Sequence, residues 1–152
     1  MLTRLLPDQI ADFWEIIKYG IEQSLPPIAG EHPDKMNRML ASLLSSKAQC
    51  WASYTKERAV NRFEGIILTK MLYDDVSDTK SLLLYCLYGY NSITEGSWPV
   101  ALESILKYAN SKGCTQVVAY SNIPRVIKIA EGLGGDTKYT FISFNVDELM
   151  RR

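Results

Sequence analysis

The sequence predicts an α/β fold: a single domain over residues 1–152, with a mixed sheet of about six strands, mostly antiparallel, and helices on both faces. Three observations lead to this fold class. Apolar runs of strand length occur beside amphipathic stretches of helical period, and Pro and Gly separate them. Their order is not the strict strand–helix alternation of a doubly wound sheet. A chain of 152 residues is also long enough to bury one core.

The first third of the chain predicts a short strand and two helices. Residues 1–6 suit a strand, and Pro7-Asp8 opens a helix that ends before Pro26, because the residue before Pro avoids helical angles. A second helix begins at Asp34. The apolar positions of the two helices are Ile10, Phe13, Trp14, Ile17, Tyr19 and Ile21, then Met36, Met39, Leu40, Leu43 and Leu44.

The middle of the chain predicts three consecutive strands joined by polar turns. These strands cover residues 50–54, 63–73 and 82–90, which are rich in apolar and aromatic side chains. Residues 82–90 form a continuous apolar run, which favours a strand buried on both faces at the centre of the sheet.

The last third predicts alternating helices and strands. A helix over 98–112 ends at Gly113, and a helix over 124–133 ends at Gly134-Gly135, because Gly favours the C-terminal cap. Residues 115–121 predict the strand between them. The alternating residues 137–146 predict a final strand, followed by a short tail.

Charge and cysteine content exclude several classes of protein. The 17 basic and 17 acidic residues cancel, and no basic cluster of the kind that binds nucleic acid is present. No apolar run approaches the roughly 20 residues that span a bilayer, and the first residues lack a signal-peptide core. The cysteines, Cys50, Cys86 and Cys114, lack metal-type spacing and suit buried, reduced thiols. We therefore expect a cytoplasmic protein without nucleic-acid or membrane partners; a homodimer is left open.

Three segments carry a resemblance to a known family. Residues 2–8 read as a first strand entering a helix, residues 98–114 as a helix followed by Gly-Cys and a strand, and residues 122–135 as an Asn, a helix and a Leu-Gly end. Together with the order of elements, they resemble the GNAT N-acetyltransferase superfamily over essentially the whole chain. The resemblance implies transfer of an acetyl or other acyl group from coenzyme A to an amine. Acetyl-CoA, or another acyl-CoA, would be the cofactor, and a small molecule or a protein would supply the amine.

The resemblance also implies a cofactor site along the central strand and at the start of the following helix. In the family the strand backbone pairs with the pantetheine arm, and a Gly-rich loop at the helix N-terminus binds pyrophosphate through backbone N–H groups. The positions implied here are Leu87, Tyr88, Gly89, Thr94, Gly96, Ser97, Trp98 and Asn122.

The cofactor loop departs from the family pattern Arg/Gln-x-x-Gly-x-Gly/Ala. Thr94 stands in the Arg/Gln position, Ser97 and Pro99 stand in the two Gly positions, and Gly96 is off register by one. Glu95 would bring a negative charge towards the phosphates. The same residues have a second interpretation as an ordinary helix start, with Ser97 as N-cap and Pro99 in the first turn.

Four residues are candidate catalytic groups. Tyr88 and Tyr90 could place a hydroxyl near a thioester, and Glu64 begins a strand near where some family members hold a basic carboxylate. His32 lies between the first two helices, where the family forms its acceptor site. Ala130 stands where the family often has a Tyr that protonates the departing thiolate. Packing aromatics, a surface carboxylate and a solvated histidine are the alternative interpretations.

Two functions of different classes follow from these residues. One is an acyl-CoA-dependent N-acyltransferase, or acyl-CoA binder, with an atypical cofactor loop. The other is a catalytically inactive GNAT-like binding or assembly module in a phage, mobile-element or regulatory context. A weaker third is an unrelated α/β enzyme with Cys86 or Cys114 as nucleophile. A cofactor groove predicts a cleft between strands 82–90 and 115–121 that reaches Gly96 and Ser97, whereas a module predicts that the cleft is filled, for instance by Trp98.

Overall fold

The structure is a computed structural model that describes residues 2–91 and 96–151, with the side chains of residues 55–57 and 61 left aside. Two compact units divide the chain, Met1–Ala119 and Tyr120–Arg152. The single domain expected over residues 1–152 stays a prediction.

A five-stranded sheet lies in the first unit. Its strands are β1 (Leu2–Arg4), β2 (Ala48–Glu57), β3 (Val60–Asp74), β4 (Thr79–Gly89) and β5 (Cys114–Ala119). They lie side by side in that order, antiparallel from β1 to β4 and parallel between β4 and β5. The mixed, mostly antiparallel sheet is confirmed, and its strand number is five where about six were expected.

Helices flank this sheet in the first unit. They are α1 (Pro7–Asp12), α2 (Trp14–Gln23), α3 (Lys35–Leu44) and α4 (Ser97–Ser111). The single helix expected from Pro7 is interrupted at Phe13, whose φ and ψ of −104° and 16° leave the helical range. The Phe13 ring packs edge-on against Phe63 with centroids 5.1 Å apart, so the interruption coincides with a core contact. Among the described residues, no helix is long and apolar enough to cross a membrane.

Two hydrophobic clusters lie on opposite faces of the sheet. The cluster beneath α1, α2 and α3 contains Leu5, Ile10, Ile17, Ile21, Leu43, Ala48, Cys50, Ala52, Phe63, Ile66, Leu68 and Cys86. The cluster beneath α4 contains Trp51, Ile67, Leu82, Ile105 and Ala109. Successive residues of β2 and β3 alternate between the two clusters, because side chains of a strand point to opposite faces. The helices on both faces are thereby confirmed.

A buried polar chain ties β2 to β3 on the α4 face of the sheet. The Trp51 indole donates to the Thr69 hydroxyl at 3.1 Å, and that hydroxyl donates to the Gln49 side-chain oxygen at 2.8 Å. The Gln49 amide nitrogen in turn donates to the Ser46 carbonyl at 3.1 Å. Trp51, Thr69 and Gln49 therefore have partners for these buried side-chain groups, which avoids the cost of an unsatisfied donor or acceptor.

Helix α2 approaches the sheet closely at Gly20. A Cβ at this position would lie 2.6 Å from the Tyr90 hydroxyl and 2.8 Å from Cδ1 of Ile66. The Tyr90 hydroxyl donates to the Ile16 carbonyl at 2.6 Å, one turn earlier in the same helix. Gly20 therefore allows the contact through which Tyr90 holds α2 on the sheet.

The second unit contains α5 (Pro124–Gly132) and α6 (Val146–Met150). As expected, α5 ends at the two glycines: the Gly135 N–H donates to the Ala130 carbonyl at 2.8 Å, and Gly134 has a φ of +97°. This pattern is a Schellman cap. The strand expected over 137–146 is wrong, because no described residue pairs with it and its last residue begins α6. Alternation alone does not make a strand, since a strand needs a hydrogen-bonding neighbour.

The contact between α2 and the sheet predicts non-additive mutations. Gly20→Ala should lower the free energy of unfolding by about 1–3 kcal/mol, since its Cβ would displace Tyr90. In a Tyr90→Phe background, Gly20→Ala should lower the free energy of unfolding by less, because the Tyr90 hydroxyl oxygen, the atom nearest to the new Cβ, is absent. A double-mutant cycle of urea unfolding measures this coupling. Equal costs of Gly20→Ala in both backgrounds would contradict the contact.

Candidate functional site

A cavity of about 160 Å³ opens on the α4 side of the sheet, where β4 ends and α4 begins. It is lined by Leu2, Ser53, Glu64, Gly65, Ile66, Ile67, Leu87, Tyr88, Gly96, Ser97, Trp98, Val100 and Ala101. The described lining residues come from β1 to β4 and from α4. None of them comes from β5, although the expected cleft had β5 as its second wall.

Six of the residues proposed from the sequence line this cavity, namely Glu64, Leu87, Tyr88, Gly96, Ser97 and Trp98. Gly89 is the last residue of β4, and Tyr90 follows it. Thr94 lies outside the described residues, and Asn122 belongs to the second unit, next to the α5 N-cap residue Ile123. The roles assigned to all of these residues stay predictions.

Glu64 is the unpaired residue of a β-bulge. Along β3, Gly65 pairs with Ser53 and Phe63 pairs with Tyr54, so Glu64 has no counterpart on β2. On the other side its carbonyl accepts the Tyr90 N–H at 2.9 Å. A bulge breaks the strict alternation of side chains and can turn a residue towards a site. Here it places Glu64 on the cavity wall next to Gly65.

The second irregularity of the sheet lies in β4. Leu84 pairs with Thr69 and Cys86 with Leu68, so Tyr85 is an additional residue on β4. The parallel pairing with β5 ends at this point, with Leu84 opposite Ala119. Residues 86–89 thus remain paired with β3, whereas residues 85–89 have no β5 partner among the described residues. This backbone edge of β4, beside the cavity, therefore has no strand partner in the described parts of the chain.

The tyrosines at the end of β4 pack beneath α2. The Tyr88 ring makes edge contacts with Tyr90 at 5.0 Å and with Tyr19 at 6.0 Å between centroids. A hydrogen bond with Tyr19 raises the pKa of Tyr88, and burial adds to this effect. Burial also raises the pKa of Tyr90, whose hydroxyl donates a hydrogen bond to the Ile16 carbonyl. Tyr90 therefore anchors α2, whereas Tyr88 also lines the cavity.

His32 takes part in local contacts between α2 and α3. Its Nδ1 accepts the Asp34 N–H at 3.0 Å, and its carbonyl accepts the Lys35 N–H at 3.1 Å. The neighbouring Glu31 forms an exposed ion pair with Lys35 at 3.1 Å. These contacts stabilise the start of α3, and His32 is not among the residues that line the cavity. No group of three or more metal-ligating side chains occurs in the described parts of the chain.

The N-terminus of α4 forms one end of the cavity. Gly96 occupies the N-cap position and Ser97 is the first helical residue, so the N-cap expected at Ser97 is displaced by one residue. A Cβ at Gly96 would meet nothing within 4 Å among the described residues, so the position beside Gly96 is open. The Trp98 indole Nε1 is buried and has no acceptor among the described residues.

Cys86 is a poor candidate for a nucleophile. Its side chain is 1% exposed within the cluster beneath α1 to α3, and burial raises the pKa of its thiol to about 11. Burial, with a smaller contribution from Cys86, raises the pKa of Cys50 to about 12. A nucleophilic cysteine needs an accessible thiolate, which both environments oppose.

These two thiols predict a loss of stability at alkaline pH. Their folded pKa values lie above the ordinary 9.0, so their contribution is complete below pH 9 and is lost as pH rises towards 11–12. The free energy of unfolding should fall by about 1.4 kcal/mol per pH unit for each thiol in that window. Urea unfolding from pH 7 to 11 measures the slope. Cys50→Ala should have a shallower slope than the wild type, and an unchanged slope would contradict the assignment.

Comparisons with known proteins place this geometry in context. No protein-family model matches the sequence, and no curated protein matches it significantly. Solved structures do match. A predicted acetyltransferase with acetyl-CoA from Clostridium acetobutylicum superposes with a TM-score of 0.70 and 11% identity, over 97% of each chain.

Two further structures match over similar lengths. An aminoglycoside acetyltransferase from an uncultured soil metagenomic sample, in complex with sisomicin, gives a TM-score of 0.69 at 13% identity, over 95% of this chain and 93% of that chain. The ribosomal-protein-alanine N-acetyltransferase from Brucella melitensis biovar Abortus 2308 gives 0.64 at 11% identity, over 95% and 99%. Identities this low establish the fold alone. The chain has the fold of the GNAT acetyltransferases.

Proposed function

We propose that this protein is an N-acetyltransferase that uses acetyl-CoA, or another acyl-CoA, and transfers the acyl group to an amine. The observation that carries the proposal is the open backbone edge of β4 at residues 85–89, beside a cavity that ends at the N-terminus of α4. One solved structure of the same fold was determined with acetyl-CoA. The fold and the open edge of β4 both support acetyl-CoA as the proposed ligand.

The chain offers suitable groups for this cofactor. N–H groups of successive strand residues point in opposite directions, and the Tyr90 N–H points to β3. Alternation then directs the Leu87 and Gly89 N–H groups to the open edge, where they can pair with amide carbonyls of pantetheine. The proposed pyrophosphate contacts are Thr94, Gly96, Ser97 and Trp98, because backbone N–H groups at a helix start bind phosphate and the position beside Gly96 is open. Asn122, in the second unit, stays a candidate cofactor-binding residue from the sequence.

The proposed chemistry assigns one role to each group. When bound, acetyl-CoA supplies a thioester whose carbonyl carbon is open to attack by an amine. Glu64 accepts the proton of the amine, since it is a carboxylate on the cavity wall. An open-edge N–H of β4 donates to the carbonyl oxygen and stabilises its developing charge. Tyr88 is the proposed donor of a proton to the departing sulfur, because a phenol is protonated at neutral pH.

An inactive binding or assembly module is the second candidate. The observation in its favour is the composition of the first turn of α4, where Pro99 lacks an N–H and Trp98 is bulky. Both features reduce the capacity of this helix start for phosphate. A protein of this kind would keep the fold but would not bind acetyl-CoA.

Thermal melting with and without millimolar acetyl-CoA separates the two candidates. Ligand binding to the folded state alone raises the melting temperature by mass action, and the proposal predicts a saturable rise that ADP does not reproduce. Absence of a rise at millimolar acetyl-CoA would favour the inactive module.

Glu64→Gln tests the proposed base. This variant should acetylate a pool of primary amines about 10²–10⁴-fold more slowly, with an unchanged melting-temperature rise in acetyl-CoA. Mass spectrometry of the N-acetyl products measures the rate. Glu31→Gln is the matched control, because its carboxylate is exposed and paired with Lys35. Equal rates for wild type and Glu64→Gln would remove Glu64 from the mechanism.

A further inference from the structure

The structure assigns a substrate class to the cavity: we propose that the acceptor is a monoamine with an apolar body about the size of one aromatic ring. The amine would lie at Glu64 and the ring would lie between β3, β4 and α4. This inference rests on the proposed function and narrows it.

The charge of the cavity wall supports a monoamine. Among the described residues that line it, Glu64 is the one side chain with a formal charge, and Ser53 and Ser97 add neutral polar groups. One carboxylate matches one ammonium group. A polyamine would bring a second charge against apolar walls, where an unpaired charge is costly. The wall therefore favours substrates with one positive charge.

The apolar part of the wall supports a hydrophobic body. Leu2, Ile67, Leu87, Trp98, Val100 and Ala101 line the cavity. The Trp98 Nε1 is inaccessible to solvent, although the residue lines the cavity. The indole N–H of Trp98 therefore points into the protein, and carbon atoms of the ring face the cavity. Carbon on several sides leaves a polar body without hydrogen-bonding partners.

The volume of the cavity indicates the size of the apolar part of the amine. Its volume is about 160 Å³. An apolar cavity of about 150 Å³ in another protein holds one benzene molecule, so a single ring fits here.

The experiment compares 2-phenylethylamine with ethylamine, spermidine and kanamycin as acceptors, at saturating acetyl-CoA. Burial of one ring should raise kcat/KM for 2-phenylethylamine about 10–100-fold above ethylamine, which carries the same amine without the ring. Spermidine and kanamycin should be slower than 2-phenylethylamine. A preference for either polyamine, or equal rates for the two monoamines, would overturn the inference.

A variant that fills the cavity provides a second test of the ring-binding site. Ala101→Leu puts a larger side chain on the wall and keeps a good helix former, so it should remove the preference for 2-phenylethylamine. Asn110→Leu, on an exposed position of the same helix, should retain it. If Ala101→Leu keeps the wild-type preference, the ring does not bind here.

Calorimetry of amine binding separates this inference from the proposed function. Titration of 2-phenylethylamine into the protein without acetyl-CoA should show binding that Ala101→Leu abolishes. If acetyl-CoA fails to raise the melting temperature while this binding persists, the proposed transfer fails and the ring-sized amine site stands. If acetyl-CoA binds and the ring amine does not, the proposed function stands and the substrate class is overturned.

Discussion

The backbone pairing of β4 is the constraint on which the site depends. This strand pairs with β3 along nearly its whole length, but its pairing with β5 stops at Leu84. Tyr85, the additional residue in β4, directly follows the last residue that pairs with β5. The four residues of β4 that follow, 86–89, keep their position through β3 while the opposite edge has no strand partner among the described residues. A strand that is rigid on one side and open on the other can offer fixed hydrogen-bonding groups to a ligand without rearrangement.

The two faces of the sheet have different tasks at this open end. Beneath α2, Gly20 allows close approach, and the hydroxyl of Tyr90 binds the helix at Ile16. Beneath α4, the same strands leave a cavity rather than a filled contact. Glu64 connects the two faces, because its carbonyl accepts the Tyr90 N–H while the bulge places it on the cavity wall. Stability of the α2 contact and placement of the proposed base are therefore linked through one short stretch of β3.

The sequence predicted the parts of this molecule that depend on local chemistry. Gly113 and Gly134 adopt positive φ angles at the ends of their helices, where a Cβ is disfavoured, so these ends were visible in advance. The bulges at Glu64 and Tyr85 depend instead on the register between strands, which no single residue type signals. The cavity walls from β1 and β2 likewise become neighbours of α4 only through pairing. The strand expected over 137–146 shows the converse: its alternation was clear, but a strand also needs a partner.

Amide hydrogen exchange at residue resolution is the most direct measurement of the central claim. In the free protein, the N–H groups of Leu87 and Gly89 should exchange faster than the N–H of Tyr90, which is bonded to Glu64. Acetyl-CoA should slow exchange at Leu87 and Gly89 and leave Tyr90 unchanged. Slow exchange at Leu87 and Gly89 in the free protein, or no change when acetyl-CoA is added, would contradict an open β4 edge that binds the cofactor.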